Sequence, residues 1–113
     1  FEVFNEKALS GSKVISSAQL LASNNAVAST VGNTPGAIGY IGLGYLTKDV
    51  KLVSVNGTMP SEKTVKDNTY KLSRKLYMYT NGKAAGDVNR YISFIQSAAG
   101  QKIVKDQGFV TLN

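Results

Sequence analysis

The 113-residue chain contains no histidine and no cysteine. That excludes disulfide scaffolds, thiolate zinc centres, imidazole metal ligation and Cys–His or Ser–His catalysis. A metal ion would have to be a hard cation on scattered carboxylates, and a serine nucleophile would need lysine as its base; no motif pairs the two. Thirteen Lys and Arg against seven Asp and Glu give a net charge of +6. A positive field attracts polyanions, so one reading is a small basic nucleic-acid-binding domain. The bases are dispersed, however, with Arg74-Lys75 the one adjacent pair, and zinc-finger spacing, an aromatic RNP-type strand and a basic helix running into heptads are all missing. Gly39, Gly42 and Gly44 lack the G-x-G-x-x-G order, and no Lys-Ser/Thr follows them to grip a phosphate. Ser10-Gly11-Ser12 has the composition of an anion loop but follows a helical stripe instead of opening one, which reads as a turn.

The elements that must position any site follow from periodicity and punctuation. A chain of this length can bury about two-thirds of its unfolded surface as one domain. Phe1, Phe4 and Ala8 share one helix face, so the sequence opens inside a helix with no N-cap of its own. A second helix is expected from Asn24 to Val31, capped by Ser23 and stopped by Gly32 and Pro35. Ala37 to Tyr45 mixes β-formers with repeated glycine, the mark of a strand with a bend or a close backbone approach. Strands are also expected at Val50 to Val55, ended by Asn56-Gly57, and at Leu76 to Tyr79, ended by Asn81-Gly82. Ser61 should cap a short helical turn through Val65. Asp87 should start a helix carrying Val88, Tyr91, Ile92 and Ile95, and Ser97 a last one carrying Ile103 and Val104 up to Gly108. Strands interleaved with helices indicate an α/β or α+β chain.

Three phrases stand in order along the chain: Asn33-Thr34-Pro35-Gly36-Ala37-Ile38-Gly39-Tyr40; Tyr70-Lys71-Leu72-Ser73-Arg74-Lys75-Leu76-Tyr77-Met78-Tyr79; and Gly100-Gln101-Lys102-Ile103-Val104 with Gly108-Phe109-Val110. Together they resemble the C-terminal portion of the phosphate-binding proteins of bacterial and archaeal ABC transporters. Two positions depart from the pattern: Lys75 stands where such proteins usually carry Pro, and Ala99 where they usually carry Glu.

The resemblance implies an α/β chain forming part of a periplasmic-binding-protein-like (type II) fold, a mixed sheet with flanking helices. Residues 1–72 would belong to the second lobe of a solute-binding protein, and residues 73–113 would supply the return crossing strand and the C-terminal helices that pack on the first lobe. It implies a binding module and not an enzyme, with no cofactor and no metal. The ligand in the intact protein would be inorganic phosphate and the partners the ABC permease membrane subunits, outside the cytoplasm. The family's anion-gripping Arg and Ser-Gly-Thr would lie upstream of Phe1, leaving this chain without the main ligand residues and in need of the missing N-terminal lobe or a homodimer partner. Two positions remain as candidates for the ligand. Tyr40, in a motif comparable to one that lines the cleft of related oxyanion binders, can donate a phenolic hydrogen bond or pack in a core or hinge. Arg74 can hold an oxyanion in two-pronged fashion or settle into an ion pair.

Overall fold

The computed structural model describes residues 1–113, which divide into two compact units, Phe1–Arg74 and Lys75–Asn113. In the first, the Phe1/Phe4/Ala8 stripe becomes helix α1, Glu2–Ala8, with Phe1 at the cap position and no side-chain cap bond. Glu2 in its first turn and Lys7 in its last both complement the helix dipole. Ser10 and Gly11 take left-handed φ values of 50° and 81°. This brings the N–H of Gly11 to the Asn5 carbonyl at 3.1 Å and that of Ser12 to the Leu9 carbonyl at 2.9 Å. The Ser10-Gly11-Ser12 turn is therefore a helix stop whose Gly11 and Ser12 amides are already spent.

Helix α2, Asn24–Asn33, begins where Ser23 Oγ accepts from Ala26 N–H at 3.1 Å. It runs past Gly32 and ends at Thr34, since the residue before Pro35 is driven out of helical geometry. Gly32 does not stop the helix; it faces Asp49, whose Cβ would lie 3.1 Å from an added methyl. Ala28 is the one buried apolar side chain of the chain. The return segment lies against α2: an added Cβ at Gly39 would meet Val27 Cγ1 at 2.8 Å and Val31 Cγ2 at 3.0 Å, and Gly42 N–H donates to Asn24 Oδ1 at 3.0 Å. A 3-10 turn, Leu43–Tyr45, then packs on α2.

The mixed sheet expected from the sequence has no counterpart among these elements. Residues 37–42 are irregular, and the one β interaction is a bridge between Val55 and Thr58. It is closed by Asn56 and Gly57 at φ 50° and 77°, the pattern of a tight hairpin turn. The glycines of 36–44 explain the first case, because they let the backbone follow the helix surface. Leu76 to Tyr79 likewise make no backbone hydrogen bond, since a β-propensity run becomes a strand only against a ladder partner. Beyond the bridge, helix α3, Glu62–Lys66, forms on a reciprocal capping box: Ser61 Oγ accepts from Thr64 N–H at 3.1 Å and Thr64 Oγ1 from Ser61 N–H at 2.9 Å.

In the second unit, residues 75–80 run without helix, turn or bend. Helices α4, Gly86–Gln96, and α5, Ala98–Asp106, pack on each other across a single junction residue. Ser97 caps both ends there: its Oγ donates to the Phe94 carbonyl at 2.6 Å and accepts from Gly100 N–H at 3.3 Å. Buried Gln101 donates through Nε2 to the Ile95 carbonyl at 2.8 Å and accepts through Oε1 from Leu112 N–H at 2.7 Å. It thereby holds the segment beyond Gly108 against the end of α4.

Candidate functional site

Both candidate ligand residues lie in the first unit, and both touch α1. The Tyr40 ring stacks on Phe4, with centroids 4.1 Å apart and planes 9° from parallel. Tyr40 is 41% exposed, so the stack holds the ring by one face and leaves part of it in solvent. A guanidinium nitrogen of Arg74 lies 3.9 Å from Glu2 Oε2. That separation exceeds a hydrogen bond, and both side chains are solvated, so the pair restrains Arg74 weakly and leaves its N–H donors able to meet a stronger anion. Glu2 and Phe4 are two positions apart on α1, which makes this helix the common support of the two candidates. The structure gives Tyr40 a ring contact and Arg74 an ion pair, the packing alternatives open to each.

Sequence reasoning did not single out Phe4 as the platform for Tyr40, although Phe4 stood in the stripe that located the helix. It also missed the structured turn after α3. Asp67 Oδ1 accepts from Thr69 Oγ1 at 2.5 Å and from Thr69 N–H at 3.0 Å. These hydrogen bonds, the hydroxyl's first, lower the Asp67 carboxyl below its ordinary value, with Lys63 adding a smaller push in the same direction. Burial raises the Tyr70 phenol above its ordinary value. An open depression beside α3 is lined by Glu62, Lys63, Lys66 and Asp67. Its acids and bases balance, so it has no net attraction for an anion, and neither Tyr40 nor Arg74 lines it. No group of three or more acidic side chains is placed to hold a metal ion.

The basic surplus forms no dedicated patch in the pairings observed: Arg90 pairs with Asp87 at 3.1 Å on α4, and Lys102 with Asp106 at 2.6 Å on α5. These are i,i+3 and i,i+4 pairs of solvated helix faces. The nucleic-acid reading gains no support from them.

Comparison with known proteins matches residues 2–99 to the PBP superfamily domain. The chain belongs to this family. The periplasmic-binding-protein-like class that its three phrases suggested is thus established, while the sheet within it is not. Relatives of this PBP-superfamily chain include the phosphate-binding protein PstS of Borreliella burgdorferi, 41% identical over 93 residues that cover 78% of the chain and 33% of that protein. The phosphate-binding protein PstS of Bacillus subtilis is 38% identical over 90 residues, covering 78% and 30%. That of Staphylococcus aureus is 36% identical over 100 residues, covering 79% and 30%. The chain spans about a third of the length of the curated relatives it matches. No solved structure matches it. No helix is long and apolar enough to cross a membrane.

Proposed function

We propose that the chain serves phosphate binding for ABC-transporter uptake, as part of a two-lobed, extracytoplasmic solute-binding protein. Identity with proteins named phosphate-binding protein PstS over nearly four-fifths of the chain carries this reading. It is supported by the Arg74 guanidinium and the partly exposed Tyr40 phenol, hydrogen-bond donors that suit gripping an oxyanion. In this reading residues 1–72 belong to the second lobe. Residues 73–113 cross back toward the first, where Leu76 to Tyr79 would find the ladder partners of a mixed sheet. The main ligand residues lie in the portion of the relatives that the chain does not span. Tyr40 and Arg74 add one phenolic and one guanidinium donor to the oxyanion, and the assembled protein delivers phosphate to the permease membrane subunits.

Two measurements test this reading. Calorimetric titration of the chain with inorganic phosphate should give weak heats without saturation, and tight one-to-one binding would overturn the placement of the main ligand residues elsewhere. Substituting residues 1–113 for the matching third of Bacillus subtilis PstS should give a chimera that binds phosphate. In it, Arg74→Ala should weaken binding by about tenfold or more, as loss of a charge-assisted hydrogen bond does. A chimera that folds but does not bind overturns the functional reading, and unchanged affinity in the Arg74 variant removes that residue from the site.

A further inference from the structure

The dipeptide Asn-Gly occurs twice, as Asn56-Gly57 in the first unit and Asn81-Gly82 in the second. Asparagine is chemically labile, and a following glycine leaves its amide nitrogen uncrowded and free to reach the asparagine side-chain carbonyl. The two glycines match, with φ of 77° and 78°, and neither N–H makes a backbone hydrogen bond. All four residues are exposed, so access of water does not separate the sites. The asparagines differ. Asn56 is itself left-handed, at φ 50°, and lies inside a reciprocal pair: Val55 N–H donates to the Thr58 carbonyl at 2.9 Å, and Thr58 N–H to the Val55 carbonyl at 3.0 Å. Asn81 has no positive φ, and no backbone hydrogen bond encloses residues 80–83. The contact made there, from Thr80 Oγ1 to the Gly82 carbonyl at 2.7 Å, holds neither the Asn81 side chain nor the Gly82 N–H.

We infer that Asn81 is a site of spontaneous covalent modification, deamidation to aspartate and isoaspartate, and that the Val55–Thr58 hairpin protects the chemically equivalent Asn56. The Gly82 nitrogen gives its proton to hydroxide and attacks Asn81 Cγ. The bond from that carbon to its own amide nitrogen breaks, and ammonia leaves with a proton taken from water, closing a cyclic imide. Water then opens the imide: cleavage of the new Cγ–N bond gives aspartate, and cleavage of the original peptide C–N bond gives isoaspartate, whose main chain runs through Cγ and is longer by a methylene. The net change is amide plus water to carboxylate plus ammonium, with nothing oxidised or reduced. Closure requires the glycine nitrogen to swing about the Cα–C bond until it lies beside the asparagine Cβ. In a left-handed residue that nitrogen points to the opposite side. Rotating it at Asn56 breaks both hairpin hydrogen bonds, whereas Asn81 has none to break. The product at Asn81 lowers the net charge of +6 by one and, as isoaspartate, lengthens the link between residues 75–80 and α4. The inference is independent of the ligand.

Tryptic peptides 52–63 and 76–83 contain one Asn-Gly each, so mass mapping of the chain follows the two sites separately. Incubated folded at mildly alkaline pH, the chain should gain one dalton in peptide 76–83, as a mixture of aspartate and isoaspartate resolved by electron-transfer fragmentation. The gain in peptide 52–63 should be slower by about tenfold or more, the ratio set by two backbone hydrogen bonds that must break first. In strong denaturant the two rates should converge, because the hairpin is then gone. Thr58→Pro deletes the N–H of one hairpin hydrogen bond and should speed the reaction at Asn56 while leaving that at Asn81 unchanged. Equal rates in the folded chain, or a faster reaction at Asn56, overturn the inference. A difference that persists in denaturant also overturns it, since neighbouring side chains and not the fold would then set the rates. Deamidation at Asn81 without isoaspartate would overturn the imide route.

Discussion

At the scale of single residues, the best-defined electrostatic feature is the turn that follows α3. Asp67 is fully exposed, so its lowered pKa owes nothing to burial; it is caused first by the Thr69 hydroxyl, then by the Thr69 amide, and least by Lys63. A folded-state pKa below the ordinary 3.8 means that the ionised carboxylate favours the folded turn. That contribution is complete above the ordinary value and is lost as pH falls through the lowered one. Thr69→Val deletes the hydroxyl and keeps the amide, so it should return the Asp67 pKa part of the way toward 3.8. Carboxyl chemical shifts followed through an acid titration check this, and an unmoved midpoint would assign the shift to the amide alone. The turn was not legible in the sequence because Asp-x-Thr is common, and what makes it matter is the left-handed Asn68, at φ 59°, that brings the two side chains together. Tyr40 was legible as a residue worth following, but its stacking partner, 36 positions away in sequence, was not: helical periodicity locates Phe4 on a face without saying what the face meets.

At the scale of elements, helix starts were readable and sheets were not, for one physical reason. A cap is a local hydrogen bond: Ser23 to Ala26, Ser61 to Thr64 and Ser97 to Gly100 each span three residues, so the sequence contains both partners side by side. A strand is completed by another strand that sequence does not name, and Leu76 to Tyr79 show strong β propensity with no ladder. Glycine is intermediate, since its freedom is local but its purpose is set by what approaches it. Gly32 looked like a helix stop and is a contact with Asp49, whereas Gly39 lies against α2, as repeated glycine in that segment suggested. Gly100 is the sharpest case. A methyl group there would collide with the Phe94 carbonyl and approach the Ile95 carbonyl to 2.6 Å. Both are fixed backbone atoms at the end of α4, so the neighbour cannot move aside as a side chain would. Gly100→Ala should destabilise the α4–α5 pair by about 1–3 kcal/mol or more despite alanine's better helix propensity. Loss of amide protection at Gln101 and at Leu112, which its side chain holds, would report it; a neutral or stabilising effect would show that α5 can slide off α4 at little cost.

At the scale of the whole molecule, the governing quantity is surface. An unfolded chain of 12.0 kDa exposes about 17,400 Å², so the folded chain as it stands buries about 8,300 Å², whereas a compact domain of the same mass would bury about 11,400 Å². Denaturant sensitivity follows the area exposed on unfolding. The urea m-value of the chain at high dilution should therefore be about three-quarters of that expected for an ordinary domain of its size. The same deficit limits stability, because Ala28 is the only buried apolar side chain and the remaining apolar groups keep partial contact with water. Repeating the unfolding curve at increasing protein concentration separates two situations that a single curve would merge. If chains associate over this area, both the midpoint and the m-value rise with concentration, since dissociation and unfolding then expose the covered area together. If each chain instead covers the deficit within itself, neither quantity depends on concentration and the m-value is already ordinary at high dilution. That result would show that the chain in solution buries as much surface as an ordinary domain of its size.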